Sequence, residues 1–161
     1  VEYKDSFLEA VREGVEESFY KELNIPDVEK DFSKYVQGLL GKAKGENLPE
    51  GYVPASTLWL VKDGKFIGRS SIRHRLNEKL LKAGGHIGYG IRISERGNGY
   101  GNKILELSLE KAKDLGIKRV LLTCDDDNLA SARIIEKNGG VLENKVEDEG
   151  KLKRRYWIEV K

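Results

Sequence analysis

Apolar side chains recur along the chain at two spacings, and the change from one to the other divides the sequence. From residue 5 to about residue 20, Phe7, Leu8, Val11, Val15 and Phe19 fall at helical spacing with acids between them, which predicts an amphipathic helix. Pro26 then breaks the pattern. From Val28 to about Ala43, Phe32, Val36, Leu39 and Leu40 share one stripe and predict a second helix. Lys44–Pro54, with Gly45, Pro49, Gly51 and Pro54, predicts a loop. After Ala55 the period shortens. The apolar run Leu58–Val61 ends at Asp63-Gly64, a strong hairpin signal, and Lys65–Arg73 predicts the returning strand. A polar, part-helical segment, Leu76–Ala83, leads to Gly84-Gly85. His86–Ile93 alternates with period two, which would place Ile87, Tyr89, Ile91 and Ile93 on one face.

The second half returns to helical spacing twice. Ile104, Leu105, Ser108, Leu109, Ala112 and Leu115 form a stripe that ends at Gly116, where a helix C-terminal glycine belongs. Arg119–Cys124 predicts a short buried strand. The polar corner Asp125–Asn128 precedes a helix through Asn138 that stops at Gly139-Gly140. Val141–Val146 and Leu152–Val160, joined at Glu149-Gly150, predict a terminal hairpin. Two helices, three strands and then alternating helices and strands predict an α/β fold (α+β, with a mixed sheet): one central mixed β-sheet flanked by helices, in a single domain over residues 1–161.

Composition narrows the function classes. With 161 residues the chain suits one domain with a real core. Lys plus Arg number 29 against 27 Asp plus Glu, so the formal net charge of +2 argues against a dedicated nucleic-acid partner. No apolar run approaches the ~20 residues of a spanning helix, so no membrane partner is expected. The single cysteine, Cys124, fits a reducing compartment, and a cytoplasmic location is expected. The chain starts at Val1 and has no Met, which leaves room for a first strand missing from its N-terminus. No His/Cys spacing suggests a metal site.

The candidate chemistry lies in Arg96-Gly97-Asn98-Gly99-Tyr100-Gly101, placed between the alternating strand and the long amphipathic helix. Strand, glycine turn and helix N-terminus together form a phosphate cradle: small residues admit the anion, and free N–H groups at the positive end of the helix dipole face it. The P-loop pattern is absent, and a dinucleotide fingerprint from Gly97 would need glycine at Asn102. The spacing Arg96, Gly99, Gly101 resembles the pyrophosphate motif of the GNAT acetyltransferases. Asn128-Leu129-Ala130-Ser131 followed by Lys137 and Gly139 resembles that family's second conserved block, and the resemblance covers roughly residues 55–160.

The resemblance implies direct transfer of an acetyl group from acetyl-CoA, the co-substrate, to an amine of a small molecule or a protein, with a homodimer compatible. It implies that the backbone of Ile91 and Ile93 pairs with the pantetheine arm and that residues Arg96, Gly97, Asn98, Gly99, Tyr100 and Gly101 hold the pyrophosphate. Asn128 and Ser131 would contact the pantetheine region. The chain departs from the family at Ile135, where many members carry the tyrosine that protonates the leaving thiolate. That departure keeps open a second reading, a non-catalytic acyl-CoA-binding sensor. Tyr156 is the candidate replacement acid, with a half-buried strand aromatic as the alternative. His86, at the head of the strand, is the candidate base because an imidazole near its ordinary pKa of ~6.5 can take a proton at neutral pH; a structural histidine is the alternative. His74 could line the acceptor site or belong to a solvated face. Asp125, Asp126 and Asp127 could attract a cationic amine or form a polar turn.

Overall fold

The first helix carries the first part of the predicted apolar stripe. A computed structural model describes residues 2–14 and 20–161. Within them α1 spans Lys4–Glu13 and ends at Gly14, with Phe7, Leu8 and Val11 buried. The expected continuation through Val15 and Phe19 lies outside the described residues. The second stripe is two helices rather than one. Asn24 caps α2 (Ile25–Lys30) by accepting from the Asp27 N–H, and Pro26 sits in its first turn, where a missing N–H costs nothing. Asp31 then ends α2 and opens α3 (Phe32–Lys44), accepting from the Lys34 N–H. Pro26 therefore starts a helix where the sequence reading has it as a break.

The remaining elements follow the expected order. They are β1 (Ala55–Lys62), β2 (Lys65–Arg73), the short α4 (Glu78–Lys82), β3 (Ile87–Ile91), α5 (Tyr100–Asp114), β4 (Arg119–Asp125), α6 (Leu129–Lys137), β5 (Val141–Asp148) and β6 (Lys151–Glu159). The strands make two antiparallel three-stranded sheets, in the orders β1-β2-β3 and β4-β6-β5. The alternation after His86 outruns its strand. Ile93 belongs to a single 3-10 turn, Ile93–Glu95, and stays 45% exposed.

Helices cover the first sheet on both faces. On one face Ser108 of α5 donates its hydroxyl to Ser70 of β2 at 2.8 Å, and Ile72, Ile87, Leu105 and Ala112 share a buried cluster with Val120, Leu122 and Tyr156 from the second sheet. On the other, Phe7, Tyr20, Val28, Phe32, Phe66 and Trp59 join α1, α2 and α3 to β1 and β2, with Phe7 stacked on Trp59 at 4.6 Å. The N-terminal helices thus have an aromatic core of their own against the sheet.

The backbones of the two sheets meet at His86 and Leu121. The backbone N–H of His86 donates to the Leu121 carbonyl at 2.8 Å, and the Leu121 N–H donates to His86 Nδ1 at 3.0 Å. An imidazole nitrogen stands where a strand carbonyl would continue the ladder. β4 passes so close to Gly85 that a side chain there would collide with the Leu121 carbonyl. Beyond this vertex β3 and β4 separate.

Candidate functional site

On the side of the gap, β3 has an edge that pairs with no other strand among the described residues. Arg92 N–H donates to the Ile67 carbonyl and the His86 carbonyl accepts from Arg73, so residues of even number on β3 turn their peptide groups to β2. Antiparallel pairing alternates, so the peptide groups of Ile87, Tyr89 and Ile91 face the gap. The Ile91 carbonyl there accepts from Arg96 Nε at 3.0 Å, which folds the arginine back along the strand end. Ile93, beyond the strand, gives its carbonyl to the Arg96 N–H instead. The edge that could take an added strand therefore includes Tyr89 and Ile91, and Ile93 lies past it.

At the open end of the gap stands the glycine turn. Gly97 and Gly99 have φ of +83° and +81°, the left-handed region that costs glycine least, and a Cβ at either would meet nothing within 4 Å. Gly99 caps α5 with no side-chain hydrogen bond, so the first N–H groups of the helix face outward with the positive end of its dipole. Asn98 spends its side-chain amide on the Glu95 carbonyl at 3.1 Å, closing the turn. Lys62 lies 5.7 Å from the centre of the Tyr100 ring and adds a cation beside the turn. Gly101 differs from its neighbours: a Cβ there would come within 2.7 Å of Ile134 Cδ1, so its missing side chain lets α5 approach α6. Open space, uncapped amides and flanking cations suit a diphosphate.

The turn is braced from below. Arg92 is 4% exposed and pairs with Glu13 of α1, whose carboxylate also accepts from the Ser94 N–H at 3.2 Å and hydroxyl at 3.1 Å. The Arg92 guanidinium holds the Glu13 carboxyl down at about 2. A carboxylate from the first helix thus locks the chain just ahead of Arg96.

Across the gap, Asn128 caps α6 by accepting from the Ser131 N–H at 3.1 Å, and the Ser131 hydroxyl lies 3.1 Å from the Tyr89 hydroxyl. Burial pushes the Tyr89 pKa up, so the phenol stays protonated at neutral pH. Cys124 shares this region, and burial raises its thiol pKa as well, which makes it a poor nucleophile. Tyr89 and Ser131 therefore put two hydroxyls together in the gap; the sequence offers Tyr89 only as an alternating strand aromatic.

The other named residues are placed elsewhere. His86 is 7% exposed, burial lowers its pKa, and its Nδ1 lone pair is held by Leu121. Tyr156 is buried in the core and donates to Glu136 at 2.8 Å. Ile135, 1% exposed, fills the core beside it. His74 Nε2 lies 2.8 Å from the Ser56 hydroxyl at the far end of β2. Asp125 and Asp126 are spent on Lys153, Lys151, Lys145 and Arg154. Among the described residues no cluster of His, Cys, Asp and Glu could hold a metal, and no helix is long and apolar enough to cross a membrane.

No curated protein matches the chain in sequence. Several solved structures share its fold. The ribosomal-protein alpha-N-acetyltransferase RimL in complex with coenzyme A superposes with TM-score 0.66 at 21% identity, covering 98% of this chain and 88% of that one. The microcin self-immunity acetyltransferase MccE, in complex with acetyl-CoA and AMP, gives 0.67 at 18% identity over 98% and 87%. An acetyl transferase from Salmonella typhimurium that modifies the N-terminal serine of a 50S ribosomal subunit protein gives 0.58 at 22% identity over 82% and 75%. At these identities the likeness speaks for the fold. The family model of the acetyltransferase (GNAT) domain matches residues 8–141, most of the chain, and the protein therefore belongs to the GNAT acetyltransferase family.

Proposed function

We propose that the protein is an N-acetyltransferase that moves the acetyl group of acetyl-CoA directly to a primary amine. One observation carries this reading: the free edge of β3, where the peptide groups of Ile87 and Tyr89 face the gap, runs from a closed vertex to the uncapped N-terminus of α5. An extended pantetheine arm would pair along the edge as an added strand. The amides at Gly99–Gly101, with Arg96 and Lys62, would hold the diphosphate, and Asn128 and Ser131 would flank the arm from α6.

The chain's own groups then divide the chemistry. The amine attacks the thioester carbonyl, the C–S bond breaks, and the sulfur leaves as a thiolate that needs a proton or a hydrogen bond. The Tyr89–Ser131 hydroxyl pair stands in the gap to supply it, in place of the hydroxyl that Ile135 lacks. Tyr156 would first have to leave Glu136. His86 Nδ1 could accept a proton only by giving up the Leu121 N–H, so we assign His86 to holding the vertex and leave deprotonation of the ammonium to solvent at the cleft mouth.

The sensor reading draws on one observation, the apolar Ile135. Both readings expect acetyl-CoA at ~100 times its dissociation constant to stabilise the fold by about 2.7 kcal/mol. Only the enzyme releases free thiol when amines are added. No thermal shift with acetyl-CoA would remove both readings, and a shift without turnover on a broad amine panel would leave the sensor.

A further inference from the structure

The glycine turn is placed from upstream. On the side where a side chain would project, Gly97 and Gly99 face open space, so no neighbour presses the turn into position there. Asn98 reaches back to the Glu95 carbonyl at 3.1 Å, the Arg96 N–H to the Ile93 carbonyl at 3.3 Å, and the Glu95 N–H to the Arg92 carbonyl at 3.0 Å. These bonds are local and tie the turn to the short segment Arg92–Glu95. That segment is in turn held from two sides. Lys65 of β2 pairs with Glu95, and α1 takes Arg92 and Ser94.

The contribution of α1 comes from one stripe. Ser6, Glu9 and Glu13 follow at spacings of three and four, which puts them on one face of the helix. All three approach the buried Arg92 guanidinium. Ser6 Oγ lies 3.4 Å from Nη1, Glu9 Oε2 lies 3.8 Å from Nη2, and Glu13 accepts from Nη2 and from Nε, the latter at 3.3 Å. Glu13 goes further: its carboxylate also accepts the N–H and the hydroxyl of Ser94 at 3.2 and 3.1 Å. Ser94 stands two residues ahead of Arg96. A bare carboxylate so close to an anion site would oppose the anion, whereas one that fixes the turn would favour it. The two roles predict opposite signs when the charge is removed.

We propose that Glu13 is a positioning residue for the cofactor: by holding Ser94 it sets the Ile93–Glu95 turn, and through it the amides of the Arg96–Gly101 turn, where a diphosphate needs them. This rests on the acetyltransferase reading and deepens it, because α1 then sets acetyl-CoA affinity without touching acetyl-CoA. A cradle held in place before the ligand arrives does not have to be ordered on binding. Loss of Glu13 therefore raises Kd and KM for acetyl-CoA. The kcat at saturation and the KM for the amine stay, since the Tyr89–Ser131 pair is built from other elements.

The experiment uses the full chain, with acetyl-CoA titrated by calorimetry and kinetics run on one active amine. Glu13→Ala should weaken acetyl-CoA binding about fivefold or more, the scale of one hydrogen bond to a charged group, with kcat held. Glu13→Gln keeps an oxygen for Ser94 and should recover part of that loss. Ser94→Ala leaves the Arg92–Glu13 pair intact, so it should keep its Tm and weaken binding about two- to threefold. Combined with Glu13→Ala it should add little, because both variants cut the same contact. A lowered Tm with unchanged Kd in the Glu13 variants would make the residue merely structural and overturns the proposal. So does tighter binding in Glu13→Gln, the mark of a bare charge, or full additivity of the two alanine variants. If Glu13→Ala does not fold, Glu13→Gln and Ser94→Ala decide, and unchanged Kd in both overturns it. Failure of the parent reading looks different, as a wild type with no acetyl-CoA thermal shift. Inorganic pyrophosphate alone then reads the turn: it should bind the wild type more tightly than Glu13→Ala, and equal binding overturns the positioning role.

Discussion

Two helix N-termini face the same gap, and they are finished in opposite ways. α6 begins with Asn128, whose side chain accepts from the Ser131 N–H, so one of its first amides is satisfied within the protein. α5 begins with Gly99 and has no side-chain cap. Glycine at a helix start costs only a few tenths of a kcal/mol against a side-chain cap, so an open helix end here is tolerated at roughly that cost. The difference separates two tasks. In the proposed function the α5 end keeps its amides for an anion, whereas the α6 end is closed with Ser131 beside Tyr89.

The sharpest way to break this contrast is at Gly99. Gly99→Val forces a β-branched residue to φ +81° and projects it into the open space before α5. Acetyl-CoA affinity should fall by at least about a hundredfold, the scale of one or two charge-assisted hydrogen bonds, when followed by titration calorimetry. Gly101→Ala is the control. Its Cβ presses on the flexible end of Ile134 and gains helix propensity, so binding should stay within about threefold. If both variants bound equally well, the anion would not sit at α5.

Acid tests the brace beneath the α5 turn. With the Glu13 carboxyl held at about 2 against an ordinary 4.5, the unfolded chain takes up the proton first as pH falls. This contribution is complete above pH 4.5 and is lost progressively between 4.5 and about 2. Arg92→Ala should flatten that acid limb in denaturant titrations run across pH; an unchanged limb would move the brace elsewhere.

The vertex between the two helix ends comes next. His86→Ala leaves the buried Leu121 N–H without its acceptor and should cost about 1–3 kcal/mol of stability. Turnover per folded molecule should be kept. A catalytic rate falling a hundredfold at unchanged stability would instead make His86 the base. The same ring adds its own pH dependence: its pKa is lowered on folding, so its contribution is full above the ordinary 6.5 and declines as pH drops below it. The smallest effect belongs to Asn128→Ala, about 1 kcal/mol for the lost cap, with acetyl-CoA affinity reduced less than by Gly99→Val.

How far the sequence reveals all this depends on the range of the interaction. The turn at Arg96–Gly101, between strand and helix, was legible because its signal is local: strand, glycines and helix are contiguous. The Asp31 boundary was legible in principle, since an aspartate that ends one helix and caps the next is a local signal, yet the apolar stripe ran through it. Ile93 misled for a similar reason, because an apolar residue continued the alternation after the strand had turned. What stayed hidden acts across the chain. His86 meets Leu121 thirty-five residues on, Tyr89 meets Ser131 forty-two residues on, and Arg92 meets Glu13 seventy-nine residues back. Periodicity carries no information about such pairs.

The contact of Gly85 and His86 with Leu121 also makes β3 a ruler. A slit sealed at one end has a depth, and here the depth is written in residues: five, from Ile87 to Ile91, or about 17 Å at the rise of a strand. The proposed anion site lies at one end of that scale and the stop at the other. Inserting two residues would lengthen the scale and keep every side chain on its face. Inserting one would exchange the faces, handing the Tyr89 position to the opposite face of the sheet and a glycine to Ser131.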